Sequence, residues 1–280
     1  MPNTLKLVGS AALGAAVAYA AYRKYFAETK IRVHVSSDKE ALGAAAAAHV
    51  ATVLESIIDA QGSARVIFAT GASQFEFIEA LRKYSVRWGK VTAFHLDEYV
   101  GLPQTHDASF RKYLHDRLFS LLIPSPGAVH YLNPDDPESY SRLLGAAPID
   151  LACIGIGENG HIAFNDPPPG GCDFEDPLLV KQVPLDDGCR KQQLGEGWFP
   201  TLADVPTHAI TLTVPAIMGC KRISCVVPDA RKAEAVKGCL QAPVGHACPA
   251  TILRTHPDCT LWLDAPSASL VGGFSAATPH

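Results

Sequence analysis

The chain has 280 residues, of which 48% are hydrophobic and 19% are charged, and its formal net charge is −4. This length suits one large α/β domain or two small ones, and the composition argues against a disordered chain. No long basic block is present, so nucleic acid is not an expected partner, because binding to the phosphate backbone needs clustered Lys and Arg.

The N-terminal stretch LKLVGSAALGAAVAYAAYRKYF is apolar over residues 7–22 and has basic residues on both sides. It falls just short of a comfortable membrane span. A short membrane anchor, a targeting segment and an extra helix packed on the domain all remain open. We therefore predict an N-terminal extension over residues 1–28, with membrane contact through residues 7–22 as one outcome, and a single domain over residues 29–280.

The rest of the chain alternates between apolar runs and amphipathic stretches. In chain order these predict a strand at 30–35, a helix at 38–59, a strand at 64–69, a helix at 73–84, a strand at 90–96, a helix at 109–122, a helix end at 139–146, strands at 149–156, 208–214 and 222–228, a helix at 229–241 and a strand at 259–265. Strands that are apolar on both faces and alternate with helices indicate an α/β fold. We expect a mostly parallel, Rossmann-like sheet with helices on both faces.

Residues 166–207 are rich in Pro, Gly and charge and are too long for an ordinary connector. We predict that this segment is an excursion over the active face. Eight cysteines are scattered along the chain without a C-x-x-C pair, which predicts buried free thiols in a reducing, cytoplasmic compartment rather than disulfides or a zinc site. The alternative locations, on a membrane or in an organelle, depend on the N-terminal segment.

Ligands of parallel sheets bind outside the carboxyl ends of the strands, and three loops leave such ends here. The first, ATGAS, has Gly71 for a tight turn and Ser73 as a candidate cap of the following helix. Backbone N–H groups at such a helix start favour phosphate, although most short turns with a glycine are only turns.

The second loop, HLDEYVG, carries two adjacent acids directly after an apolar strand. Their side chains point in opposite directions if the backbone stays extended, so one of them can face the crevice. We expect Glu98 to be solvated, whereas Asp97 is the candidate functional carboxylate, with a solvated turn as the alternative.

The third loop lies in DLACIGIGENGHIAFNDPPPG, where His161 directly follows Gly160 and has Glu158, Asn159 and Asp166 near it. A histidine flanked by acids suits general acid–base work, because its pKa is near neutrality and a carboxylate can orient its ring. The alternative is a histidine that merely bonds the loop. No second His stands at ligand spacing, so we expect no metal.

FHLDEYVGLP, SFRKYL and IGIGENGHIAFNDP together resemble the glucosamine-6-phosphate deaminase (isomerase) family, and the likeness extends over roughly residues 30–268. That family is related to 6-phosphogluconolactonases and ribose-5-phosphate isomerases. The resemblance implies an enzyme of amino-sugar metabolism that converts glucosamine 6-phosphate and water to fructose 6-phosphate and ammonia without a metal or organic cofactor. A lactonase-type hydrolase and a non-catalytic sugar-phosphate sensor are the alternatives, and the sequence leaves the oligomeric state open, with a homo-oligomer as one outcome.

The resemblance also implies roles for individual residues. Asp97 matches the carboxylate that moves a proton between C2 and C1 through an enolamine, and His161 matches the residue that opens the pyranose ring. Asn159 and Asp166 match the residues that orient this histidine. Three residues match the phosphate-binding residues of the family: Gly71, Ser73 and Lys232.

The sequence departs from the family pattern at several of these positions. Asn159 stands where some members carry an acid, Asp166 stands where Glu is common, and Ala72 replaces a glycine of the phosphate turn. Members often have an Arg just before the aromatic pair, where this chain has Gly197. We expect Arg190, or alternatively Lys191, to supply the missing cation, or the substrate to differ.

Overall fold

The computed structural model describes residues 31–272, so the N-terminal extension, including residues 7–22, lies outside the described residues. Seven strands form the central sheet: β1 Arg32–Ser36, β2 Ala64–Phe68, β3 Val91–His95, β5 Ala128–His130, β6 Leu151–Ile154, β9 Ile223–Val227 and β10 Cys259–Asp264. Their order is β1-β10-β9-β6-β2-β3-β5, and every neighbouring pair is parallel. This sheet confirms the predicted parallel α/β architecture.

Helices cover both faces of this sheet, which is why its central strands are apolar throughout. Their bounds are α1 Lys39–Gln61, α2 Phe75–Leu81, α3 Phe110–Arg117, α4 Pro137–Gly145, α5 Asp187–Gly195, α6 Val214–Met218 and α7 Ala233–Gln241. Neighbouring residues of one strand pack into the hydrophobic clusters on opposite faces of the sheet. Phe68 belongs to the cluster that contains α1 residues, and Ile67 belongs to the cluster that contains α7 residues. Within residues 31–272, α1 is the one helix long and apolar enough to span a membrane, and half of its most apolar window is buried inside the protein.

Helix starts follow the expected capping chemistry in two places. The Asp38 side chain accepts a hydrogen bond from Ala41 N at the start of α1, and Ser109 accepts one from Lys112 N at the start of α3. The predicted helices at 73–84 and 109–122 are each interrupted. A 3₁₀ turn over Ala72–Gln74 precedes α2, and another over Phe119–Leu121 follows α3.

A second, antiparallel sheet of three strands was not predicted. It consists of β4 Asp97–Tyr99, β8 His208–Leu212 and β7 Val180–Pro184, in the order β4-β8-β7. The 208–214 run is a strand, as expected, but it pairs antiparallel with β4 and β7 and does not join the main sheet. Sequence pattern missed β4 because a three-residue strand that begins with two acids has no apolar alternation.

Candidate active site

A cavity opens at the carboxyl ends of β2, β3, β6 and β9. It is lined by residues that include Gly71, Ser73, Asp97, Gly157, His161, Gln192, Gln193, Glu196 and Lys232. The three loops predicted to meet at one sheet edge therefore do meet. The 166–207 excursion contributes the end of α5, so its predicted location over this face is confirmed.

The turn after β2 lines the cavity with residues that include Gly71 and Ser73. Gly71 has φ +93°, a conformation that an L side chain rarely adopts, so a glycine is required there. The positive φ does not fall on Ala72, and its replacement of a glycine causes no strain. Ser73 does not cap α2, because that helix begins at Phe75 without a side-chain cap. The Ser73 hydroxyl instead lines the cavity and accepts a hydrogen bond from Gln74 Nε2 at 3.1 Å.

Lys232 is the one Lys or Arg among the described residues that line the cavity. Its side chain is buried, and burial lowers the pKa of its ammonium, while the charges of Glu196 and Glu158 oppose that shift. Within residues 31–272 no carboxylate oxygen lies within 4.0 Å of its Nζ. Asp229, three residues before it, has a φ of +86°, and such strained backbone conformations cluster at functional sites. Lys232 is thus a buried cation available to an anionic ligand.

Asp97 and Glu98 face opposite sides of β4, as an extended backbone requires. Asp97 lines the cavity and is 6% exposed. Burial, and secondarily the charge of Glu98, raise its pKa well above the usual value for an aspartate. A carboxylate with a raised pKa is a stronger base, which suits proton abstraction from carbon.

The expectation that Glu98 is solvated is wrong. Glu98 is buried and accepts hydrogen bonds from the backbone N–H groups of Tyr99, Phe110 and Arg111 and from the Ser109 hydroxyl. Two of these N–H groups belong to the first turn of α3, which would otherwise be unsatisfied. Glu98 therefore anchors α3 to β4, and Asp97 is the acid that faces the cavity.

The loop after β6 holds His161 against a carboxylate. His161 Nδ1 lies 2.9 Å from Asp166 Oδ1, so the shorter aspartate side chain does reach the ring. Burial alone would raise the pKa of Asp166, but the contact with His161 and the hydrogen bond from Asn159 outweigh it and lower the pKa. A Cβ on Gly157 would stand 2.1 Å from the His161 ring, so a glycine is required beside it. Nε2 is the ring nitrogen left for a ligand.

Both polar atoms of the Asn159 side-chain amide form hydrogen bonds within this loop. Its Oδ1 accepts from His161 N at 3.0 Å, and its Nδ2 donates to Asp166 Oδ1 at 3.1 Å. The uncharged amide thus bridges the histidine backbone and the orienting carboxylate. Asp166, His161 and Cys189 also bring potential metal-ligand atoms within 4.8 Å of one another. Burial, and secondarily the charge of Asp166, raise the pKa of the Cys189 thiol well above its usual value.

The expectation that Arg190 holds the phosphate is wrong. Its guanidinium donates to the carbonyls of Leu202 and Val205 at 2.7 and 3.1 Å, and it does not line the cavity. Lys191, the alternative, is exposed and does not line the cavity either. Neither residue supplies the missing cation.

Replacing Arg190 with Ala should therefore destabilise the fold without weakening substrate binding. Loss of the two carbonyl partners should lower the free energy of unfolding by about 1–3 kcal/mol. The Michaelis constant for a phosphorylated sugar should stay within about twofold of the unmodified value, because no ligand contact is lost. Chemical denaturation and steady-state kinetics, with Lys191→Ala as the control that changes neither quantity, check this; a raised Michaelis constant in Arg190→Ala would contradict it.

Sequence reasoning missed the cavity residues at the end of α5. Gln193 Oε1 accepts from the Tyr99 hydroxyl at 2.7 Å, and Gln192 Oε1 accepts from Glu158 N at 2.8 Å. These bonds tie the excursion to β4 and to the histidine loop. The length of the excursion was the only signal in the sequence, because its polar residues look like those of any surface segment.

A family model and the curated relatives indicate the same protein family for this chain. The model of glucosamine-6-phosphate isomerases/6-phosphogluconolactonase matches residues 37–164. Proteins called glucosamine-6-phosphate deaminase from Bacillus thuringiensis (strain Al Hakam) and Bacillus cereus (strain AH820) are each 36% identical over 224 residues, which is 78% of this chain and 82% of theirs.

Solved structures agree on the fold. A monomeric glucosamine-6-phosphate deaminase is 28% identical and superposes with a TM-score of 0.77 over 85% of this chain and 99% of its own. A 6-phosphogluconolactonase from Thermotoga maritima is 20% identical and has a TM-score of 0.67 over 84% of this chain and 99% of its own. The lactonase similarity is a similarity of fold alone.

Proposed function

The chain belongs to the family of glucosamine-6-phosphate isomerases and 6-phosphogluconolactonases, and from that premise we propose that it converts glucosamine 6-phosphate and water to fructose 6-phosphate and ammonia. One observation carries the proposal. A buried carboxylate, a histidine beside an aspartate and a buried lysine face a single cavity at the carboxyl ends of parallel strands. This set suits proton transfers on a phosphorylated sugar.

The phosphate binds at the turn after β2 and at Lys232. The turn offers backbone N–H groups and the Ser73 hydroxyl, and the ammonium of Lys232 supplies a full charge in a buried environment where it is weakly screened. Holding the phosphate at this end fixes the distance to the sugar carbons that react, which converts binding into orientation.

His161 opens the pyranose ring. Its Nε2 exchanges a proton with the ring oxygen as the C1 hydroxyl becomes an aldehyde, and Asp166, held at Nδ1, fixes the tautomer and stabilises the protonated ring. Asn159 is a positioning residue, since it contacts the His161 backbone and Asp166.

Asp97 then carries out the isomerisation. Its carboxylate removes the proton from C2 of the open-chain amino sugar, the aldehyde oxygen gains a proton, and an enolamine forms. Return of the proton to C1 gives a C2 imine, which water hydrolyses to the ketone with release of ammonia. A single base on one face of the sugar can serve both carbons, and its raised pKa increases its strength as a base.

The proposal is tested by measuring ammonia released from a panel of amino-sugar phosphates that includes glucosamine 6-phosphate and galactosamine 6-phosphate. We expect ammonia from at least one of them and none from the unphosphorylated amino sugars at the same concentration. Binding of these compounds without any turnover would instead support a sugar-phosphate sensor.

We also propose that residues 1–28 are separate from the catalytic domain over residues 29–280. Among residues 31–272, every residue that lines the cavity lies at position 69 or later, and the first described strand begins at Arg32. A chain that starts at Thr29 should fold and keep kcat within about twofold, because no contact with substrate is removed. Kinetics and thermal unfolding of the two chains decide this, and loss of turnover in a folded shorter chain would contradict it.

A further inference from the structure

Glu196 brings a carboxylate to the turn that we assign to phosphate. Its Oε2 lies 3.5 Å from Ala72 N, within the first turn after β2, and 3.8 Å from the position of a Cβ on Gly71. Glu196 also lines the same cavity as Lys232. A negative charge thus occupies the place where backbone N–H groups would meet an anion.

Two other side chains hold this carboxylate in place. Gln192 Nε2 donates to its Oε1 at 2.9 Å, and Trp198 Nε1 donates to its Oε2 at 3.1 Å. Gly195 and Gly197, on either side, have no atom within 4 Å of where a Cβ would stand. The two donors therefore hold the carboxylate toward the turn.

From this geometry we propose that Glu196 sets the charge selectivity of the anion subsite, by opposing the binding of a phosphate dianion at the Gly71–Ser73 turn. The inference rests on the proposed phosphate site. Lys232 is the one lysine or arginine that lines the cavity within residues 31–272, and its positive charge stands against the carboxylates of Glu196 and Asp97 in the same lining. Outside the lining, Arg231 and Glu158 add one charge of each sign nearby. A bound dianion must approach this carboxylate or displace it from Ala72 N, and either event weakens binding.

The opposition depends on the charge of the ligand. A phosphate group loses its second proton near neutral pH, so it is a monoanion in mildly acidic solution and a dianion in mildly basic solution. The Glu196 carboxylate therefore repels one negative charge of the monoanion in mildly acidic solution and two negative charges of the dianion in mildly basic solution. Removal of the Glu196 charge should therefore help binding more at pH 8 than at pH 5.5.

Calorimetric titration of the full chain with inorganic phosphate tests this, using Glu196→Gln against the unmodified protein. We expect Glu196→Gln to lower Kd at pH 8 by on the order of tenfold or more, and to lower it by a smaller factor at pH 5.5. Asp187→Asn is the matched control: it removes a charge of the same sign from the start of α5, the helix that Glu196 directly follows, but Asp187 is 78% exposed and does not line the cavity. Its Kd should stay within about twofold because solvent and salt screen it.

An equal Kd for Glu196→Gln and the unmodified protein, or an equal gain in Asp187→Asn, would overturn the proposal. A gain that is as large at pH 5.5 as at pH 8 would also overturn it. Ammonia release by the unmodified protein is measured separately, so a failed proposal about Glu196 is distinguishable from a failed assignment of the reaction. Absence of phosphate binding to both proteins would overturn the subsite itself and this proposal with it.

Discussion

Asp97→Asn should lower kcat by about 10²–10⁴-fold while leaving the fold and most of the affinity for the sugar phosphate intact. Asparagine has nearly the same shape as aspartate but cannot take the proton from C2. Steady-state ammonia release gives the rate, and thermal stabilisation by fructose 6-phosphate reports on binding. Turnover near the unmodified rate would show that Asp97 is not the base.

The same substitution should also stabilise the protein at neutral pH. Burial raises the pKa of Asp97 above its unfolded value, so this group stabilises the fold below the unfolded pKa and loses that contribution as pH rises through the folded pKa. Asparagine does not ionise in either state, so it avoids the free-energy cost of burying an ionisable carboxyl at pH 7. The Tm of Asp97→Asn should exceed that of the unmodified protein at pH 7, and the difference should shrink below about pH 4.

Glu98→Gln provides the contrast, because Glu98 is buried among four hydrogen-bond donors. An amide there would turn a donor toward N–H groups of α3, so this variant should have a lower Tm. Opposite changes of Tm in neighbouring acids distinguish the catalytic carboxylate from the structural one. A lower Tm in both variants would contradict the assignment.

His161→Gln should lower kcat by about 10²–10⁴-fold for the cyclic substrate, because ring opening loses its acid–base group. Ring opening then becomes the slow step, so substrate deuterated at C2 should react at nearly the same rate as ordinary substrate. In Asp97→Asn, where proton transfer from C2 is the slow step, the deuterated substrate should react distinctly more slowly. A large effect of C2 deuteration in His161→Gln would contradict a role in ring opening.

The parallel sheet could be predicted because its strands have no solvent face. β6, β9 and β10 are buried at every position and appear in the sequence as mostly apolar runs without a polar face. β4 and β7 could not be predicted in this way, since β4 is short and acidic and β7 lies in a polar excursion. Their pairing with β8 depends on contacts between distant parts of the chain.

Some residues of the candidate site could likewise be predicted from the sequence, and others could not. The loop motifs containing Asp97 and His161 follow strand ends directly, so the parallel topology alone brings them to one edge. Arg190 was misassigned because sequence position does not reveal which side of α5 faces the cavity: the helix presents Gln192 and Gln193 to it and Arg190 to the carbonyls of residues 202 and 205. Burial of Glu98 likewise depends on the distant start of α3.

The most direct test of the account is to measure ammonia and fructose 6-phosphate together when the purified chain acts on glucosamine 6-phosphate, with hydrolysis of 6-phosphogluconolactone assayed on the same preparation. We expect equal molar amounts of ammonia and fructose 6-phosphate, and little or no hydrolysis of the lactone. Hydrolysis of the lactone with no ammonia from glucosamine 6-phosphate would contradict it.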